Sequence, residues 1–275
     1  MYSILEHYLS TNHILMIGMI VTFILTFFLL EHPFSFLPSD QGRAFAVNGS
    51  LSKGKLRGVG FIFVLCFLIS SVLFLPLDVE YVIYGILLFA MMISGYLDDA
   101  SKTPWNEYKK GLIDLVISVV AVLTYMNFNS TTICFGADEI VIPKALFLIL
   151  GVILIWVSVN VTNCTDGVDG LCASLCSVTL LAFGVLFASV LQKYAMANFL
   201  FLSVLFAYLY FNSSPSSMLM GDAGSRALGF YIAVIALKST HPFIYILLAA
   251  VMIVDGGIGL VKIALKRFLK ISILK

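Results

Sequence analysis

Apolar and polar positions fall along this chain in long blocks, with no two-residue alternation sustained over any length. Runs of Leu, Ile, Val and Phe, each near the roughly 20 residues a helix needs to cross a bilayer, are separated by short stretches that carry most of the charge. Runs that are apolar all round predict membrane helices, because hydrocarbon cannot satisfy open backbone groups. They place nine spans, over residues 12–31, 57–75, 79–97, 111–128, 144–160, 172–191, 195–211, 226–238 and 243–265, and predict an all-α polytopic transmembrane helix bundle. The first run has no basic segment before it and no small-residue cleavage pattern after it, so it reads as a retained helix. Residues 129–143 break the pattern: they are polar, with a β-like stretch from Thr131 to Phe135, and predict a small hairpin outside the bilayer.

Composition agrees with the pattern. The chain of 275 residues is 61% hydrophobic and only 11% charged, against about 25% charged in soluble domains, and its mean hydropathy is +1.05. A net charge of +1 gives no global field to select an anionic partner such as nucleic acid. The distribution of charge is more informative. With the N-terminus outside, the inner side receives Arg43, Lys53, Lys55, Arg57, Lys102, Lys109, Lys110, Arg226, Lys262, Lys266, Arg267, Lys270 and Lys275, and the outer side only Lys144, Lys193 and Lys238. That asymmetry fixes the orientation by the positive-inside rule. The cysteines are scattered and read as small packing residues, with no spacing for a zinc site or a disulfide framework.

The same orientation gathers three acidic clusters on the inner side, although it rests on Lys and Arg alone. Asp98 and Asp99 end the third span. Adjacent carboxylates repel unless a cation or a shared proton relieves them, so they suggest a Mg²⁺ site or a base beside one, or else a helix end neutralised by Lys102, Lys109 or Lys110. Asn160, Asn163, Asp166 and Asp169 close the fifth span at a spacing of three, which could align them as a polar row. Gly167 and Gly170 permit tight turns there. The third cluster, Gly221-Asp222-Ala223-Gly224-Ser225, precedes the eighth span, with Asp222 or Ser225 as candidate N-caps. A helix N-terminus favours phosphate, and a carboxylate there is compatible with phosphate when a metal lies between them. Mg²⁺ commonly takes one or two carboxylates together with substrate phosphates. Carboxylates, lysines and turn glycines at one membrane surface therefore point to metal-assisted phosphoryl transfer. Asp255, inside the ninth span beside Gly256, Gly257 and Gly259, has no assigned role; the glycines predict a break or bend.

These motifs resemble those of the polyprenyl-phosphate N-acetylhexosamine-1-phosphate transferases: Asp98-Asp99, the run Asn160–Leu171, and Gly221–Ser225 with Leu228-Gly229, in that order. Within the family the pattern is most similar to the bacterial phospho-N-acetylmuramoyl-pentapeptide transferase branch, favoured by Thr165, while Ala223 is more usual in the N-acetylglucosamine-phosphate branch. The segments Asp40–Arg43 and Lys55–Gly58 look like a variant of the substrate-facing first loop of the muramoyl branch. The resemblance implies that undecaprenyl phosphate attacks the β-phosphate of UDP-N-acetylmuramoyl-pentapeptide at the cytoplasmic face of a bacterial cell membrane. The products would be lipid I, for peptidoglycan synthesis, and UMP. It implies Mg²⁺ on Asp222 with Asn163, a nucleotide site lined by Asn163, Asp166, Asp169, Asn212 and Gly221, an acceptor-activating role for Asp98 or Asp99, and phosphate contacts from Lys102 and Lys110.

The family implies a bundle of about ten spanning helices, with a His-rich loop before the last. The histidines here are His7, His13, His32 and His241, none at such a place, so residues 1–275 are expected to form a single integral membrane transferase domain without that loop and last helix. Apolar helix faces admit a homodimer without specifying one. The alternative donor is UDP-N-acetylglucosamine. A transporter would set its polar groups near the bilayer midplane, where this chain has only Asp255.

Overall fold

A computed structural model describes residues 1–32, 34–42, 52–101, 103, 105–136 and 138–265. The expected bundle is present. Its helices are α1 (Tyr2–Leu5), α2 (Thr11–Glu31), α3 (Gly60–Phe74), α4 (Val79–Asp99), α5 (Glu107–Phe128), α6 (Lys144–Thr165), α7 (Leu171–Leu186), α8 (Ala188–Leu191), α9 (Lys193–Asn212), α10 (Gly221–Lys238), α11 (Ile244–Leu248) and α12 (Ala250–Ala264). Five of them, α2, α4, α5, α6 and α9, are long and apolar enough to cross a membrane by length and composition. All nine apolar runs are helical, but two are broken. The sixth divides into α7 and α8 at Phe187, and the ninth into α11 and α12 at Ala249.

Short polar residues start several of these helices by accepting from the first-turn amides that have no intrahelical partner. Asp78 accepts from Tyr81 N at 2.9 Å to begin α4, and Asn106 accepts from Tyr108 N at 3.1 Å to begin α5. The hairpin outside the helices forms as expected, with β1 (Thr132–Phe135) antiparallel to β2 (Asp138–Val141) in the register Thr132 to Val141.

The helix α10 is the axis of the molecule. Every residue from Gly221 to Leu237 is buried, between α4 on one side and α6 on the other. Glycines bring these backbones together: a Cβ on Gly95 of α4 would lie 2.3 Å from the Asp222 carbonyl oxygen, one on Gly60 of α3 would lie 2.1 Å from Gly224 N, and one on Gly229 of α10 would lie 2.6 Å from the Ser158 carbonyl oxygen of α6. Gly256 does the same between α12 and α6, with Val161 O 2.2 Å from where its Cβ would be, so this glycine serves close packing. The helix runs unbroken through Gly256–Gly259, and the bend falls at Ala249 instead. At the far end from the acidic motifs, Lys238 Nζ is 3.0 Å from Glu80 Oε2 and donates to Asn129 Oδ1 at 2.7 Å, joining the ends of α10, α4 and α5.

Candidate active site

The starting turn of α10 is where the sequence departs most from its hydropathy. The segment Gly221–Arg226 is polar, so the eighth span reads as beginning near residue 226, yet the helix begins at Gly221. It is covered by protein, not lipid, and hydropathy does not distinguish the two. Neither candidate N-cap caps it: Asp222 lies in the first turn, and Ser225 Oγ donates back to Gly221 O at 2.9 Å. Asp222 instead points into a knot of charge. Its Oδ2 accepts from Lys110 Nζ at 3.1 Å and from Asn163 Nδ2 at 3.5 Å, and its Oδ1 accepts from Arg57 Nη2 at 3.3 Å. Asn163 is held in turn by Ser225, whose single hydroxyl proton is shared between Gly221 O and Asn163 Oδ1, each 2.9 Å away.

The Asp98-Asp99 pair enters from the end of α4 and divides its work. Asp98 pairs with Lys110 and accepts from Trp105 N at 2.7 Å. Asp99 Oδ1 accepts from Arg57 Nε at 2.8 Å, and its Oδ2 accepts from Ala223 N at 3.1 Å. The first-turn amides of α10 are thus engaged by a carboxylate, as a helix N-terminus favours. Gly221 makes this approach possible. Its φ is +67°, and a Cβ there would stand 2.3 Å from Asp99 Oδ2.

The run after α6 contributes unevenly. Asn160 bonds its own helix at Trp156 O, 2.8 Å away, and does not join the site, so the four-residue row does not form. Asp166 caps the end of α6, close enough to act on the charge of Arg57. Asp169 Oδ2 accepts from Ser216 N at 2.9 Å and lies 3.7 Å from Lys55 Nζ. Asn212 is buried and braces the rim: Gly170 N donates to its Oδ1 at 3.0 Å, and its Nδ2 donates to Met218 O at 2.9 Å. Lys102 lies outside the described residues.

The residue that sequence reasoning underrated is Arg57, which entered as an inner-side charge within the substrate-facing loop segment Lys55–Gly58 and with no role of its own. Its guanidinium reaches Asp99, Asp222 and, at 3.4 Å, Asp40 Oδ1. Burial opposes its charge, but Asp99, Asp222, Asp40 and Asp166 outweigh burial and hold its pKa above the ordinary arginine value. Asp40 is itself buried and organises the loop, accepting from Ser52 Oγ at 2.5 Å and Gly42 N at 3.1 Å. A cation flanked by Gly54, Gly58 and Gly60 was the available signal. Arg226, counted among the inner-side charges, is 2% exposed within α10 and paired with Asp114 of α5, one turn from Asp222. Asp255 is exposed on α12, on the stripe shared with Val251, Val254 and Ile258, near the end of α6 that carries Cys164.

Among the described residues no three His, Cys, Asp or Glu side chains form a ready metal cage. Mg²⁺ does not ask for one, since it binds through one or two carboxylates and keeps its remaining positions for water and phosphate. The donor set suits that: Asp222 and Asp99 supply oxygens, with the Asn163 amide beside them and the cations Arg57 and Lys110 on the same carboxylates. Gly95→Ala is the expected way to disturb this set without touching a donor. Its Cβ would push on the Asp222 carbonyl, and because misplacing reacting groups by about 1 Å costs on the order of 100-fold, a comparable loss of kcat is expected from steady-state assays, together with a lowered thermal midpoint from the overpacked backbone.

Beside the knot an apolar groove of about 1090 Å³ opens between α5 and α6, lined by Trp105, Tyr108, Leu112, Leu115, Ile153 and Trp156. Lys109 lies over the Trp105 ring at 3.3 Å.

Comparison with known proteins agrees with the motifs. The profile of glycosyl transferase family 4 matches residues 81–240. A protein of Treponema pallidum named phospho-N-acetylmuramoyl-pentapeptide-transferase is 36% identical over 280 residues, covering 94% of this chain and 77% of that protein. Proteins of the same name from Halalkalibacterium halodurans and Wolinella succinogenes are 28% and 29% identical, covering 89% and 77% of this chain and 81% and 68% of their own lengths.

Proposed function

The chain belongs to glycosyl transferase family 4 and is a phosphosugar transferase of the membrane, and from that premise we propose that it moves phospho-N-acetylmuramoyl-pentapeptide from UDP to undecaprenyl phosphate, releasing UMP and forming lipid I. The observation that carries this reading is the meeting of Asp98, Asp99 and Asp222 on two shared cations, Lys110 and Arg57, at one end of the bundle beside an apolar groove. The basic residues favour the cytoplasm for that end, where a nucleotide-linked donor is made available, and the bacterial cell membrane as the location.

In the reaction, an oxygen of the lipid phosphate attacks the β-phosphorus of the donor. The bond from that phosphorus to the bridging oxygen breaks, and UMP leaves with the bridging oxygen. Mg²⁺, held by Asp222 with Asn163 and Asp99, would neutralise the charge of the diphosphate. The chain's own groups do the rest. Lys110, between Asp98 and Asp222, can pass to the acceptor phosphate as it enters from the groove, leaving Asp98 free to take or orient its proton. Asp99, pinned by Ala223 N, fixes the first turn of α10 against the end of α4. Asp166 and Asp169 lie at the rim, suited to the nucleotide, with the buried Asn212 bracing the backbone beneath them. The groove suits an isoprenoid chain, which carries no hydrogen-bonding group and needs only apolar walls.

The test is UMP release from protein reconstituted with undecaprenyl phosphate, with either UDP-N-acetylmuramoyl-pentapeptide or UDP-N-acetylglucosamine as donor, and with Mg²⁺ or EDTA. Turnover of the muramoyl donor that EDTA abolishes is expected. Preference for the N-acetylglucosamine donor overturns the substrate assignment, and full activity in EDTA overturns the metal. Asp98→Asn and Asp99→Asn are each expected to slow the same assay by at least about 100-fold, the usual range for losing a group that positions or transfers a proton. Near-normal rates in both remove that motif from the chemistry.

A further inference from the structure

We propose that Arg57 is a place-holder for the divalent cation: it keeps Asp99 and Asp222 together while the site is empty, yields Asp222 to the arriving metal, and turns its guanidinium to the donor diphosphate. This rests on the metal-dependent transfer proposed above and adds how the site is loaded.

Arg57 differs from a purely structural arginine, and the molecule supplies its own comparison. Arg226 is sealed within the bundle, 2% exposed, beside Asp114. The Arg57 side chain reaches in from a loop, is 31% exposed, and divides one guanidinium among carboxylates from three separate segments. Its three carboxylate partners are almost completely covered, at 0%, 0% and 9%. The fixed parts are therefore the acids, and the part with room to leave is the cation.

The two oxygens of Asp222 are not equivalent. Oδ2 is occupied by Lys110 and Asn163, while Oδ1 has Arg57 as its hydrogen-bond partner, at 3.3 Å. An ion entering from the open side thus meets Asp222 at an oxygen guarded by a partly exposed side chain that comes from a loop. Two positive groups on one carboxylate repel one another strongly in a site of reduced dielectric, so metal and guanidinium compete there. A displaced guanidinium has an obvious second partner. Its planar fork binds phosphate as it binds carboxylate, through paired N–H donors. Asp40, 3.4 Å from Nη1, stays behind as the tether that limits the swing.

Such an exchange makes metal and diphosphate help each other bind, because the metal frees the guanidinium that the diphosphate then takes as a partner. Thermodynamic linkage makes the help mutual. It also gives opposite signs for the loss of Arg57. Removing the competitor strengthens metal binding to the empty site, while removing the diphosphate ligand weakens nucleotide binding.

The experiment is a Mn²⁺ titration followed by electron paramagnetic resonance on the full chain in nanodiscs, with and without UDP as the diphosphate probe, and a parallel UDP titration by calorimetry. Wild type is expected to bind Mn²⁺ roughly tenfold more tightly with UDP than without, within the usual range for coupled sites. Arg57→Gln is expected to bind Mn²⁺ more tightly than wild type without UDP, to bind UDP more weakly, and to lose most of the coupling. Arg57→Lys keeps the charge and loses the fork; it should shift both affinities the same way but less, and it serves if the glutamine variant does not fold. Metal affinity that is unchanged or weaker in the variants makes Arg57 a plain clamp and overturns the proposal alone. Absence of Mn²⁺ binding in wild type, or equal binding by Asp222→Asn, overturns the metal reading beneath it.

Discussion

Asp222→Asn is expected to reduce turnover by at least about 1,000-fold while the protein still folds. The size of the loss follows from how many interactions pass through this one carboxylate. Lys110, Arg57 and Asn163 all converge on it, and an amide brings no charge to hold either the cations or a divalent ion. Electrostatic preorganisation of this kind is usually the largest single contribution to catalysis, and loss of even one oxyanion donor costs about 100- to 1,000-fold. Folding should survive because the shape is kept and the first turn of α10 is still fastened by Asp99 on Ala223 N and by Ser225 on Gly221 O. The measurement is UMP release, with size-exclusion profile and thermal midpoint as controls for fold. Activity within tenfold of wild type at saturating Mg²⁺ takes Asp222 out of the metal site.

Arg226→Met is expected to have the largest effect on stability, because it leaves Asp114 buried without its partner. Both residues are about 2% exposed, between α10 and α5. Removing one member of a buried pair typically costs about 3–5 kcal/mol, whereas replacing both by apolar groups of similar volume is often neutral or stabilising. The double variant Asp114→Leu with Arg226→Met should therefore recover most of the stability lost by Arg226→Met alone, seen as a thermal midpoint in detergent. Recovery of fold without recovery of full activity would also report the electrostatic reach of Arg226 to Asp222, one turn earlier on the same helix. A double variant no more stable than the single one removes the pair from this account.

How far the sequence could be read depended on what surrounds each segment. Spans with much apolar surface outward, such as α2 and α6, announced themselves by composition; both ends of α2 and the start of α6 were found within a residue, while α6 runs on past the expected end at residue 160 to Thr165, where the polar Asn160–Thr165 turn hid the helix. The start of α10 was missed because Gly221–Arg226 is polar yet buried by protein, and a hydropathy scale knows only water and hydrocarbon. The bend at Ala249 was missed for a related reason: glycines suggested one at Gly256–Gly259, but Gly256 is there for close packing on Val161. Asp98, Asp99, Asn163, Asp166, Asp169 and Asp222 were legible as acids and amides in short motifs on one side of the membrane. Arg57 was not, because a loop arginine looks like any topological charge until the chain brings Asp40, Asp99 and Asp222 around it. Arg226 shows the converse: its charge marked the inner edge of a span, and the fold buries it against Asp114.

The Lys238–Glu80–Asn129 junction bears on how the protein can move. The central helix is nailed down at one membrane surface by this junction and wedged at the other by glycine contacts with α3 and α4. Any piston stroke or rocking of α10 would drag a buried ammonium away from its carboxylate and leave both without a partner. A carrier that must show its cargo to each side in turn needs such freedom, and this architecture withholds it. What it favours is a workbench fixed at one surface, to which soluble and lipid-borne reactants both travel.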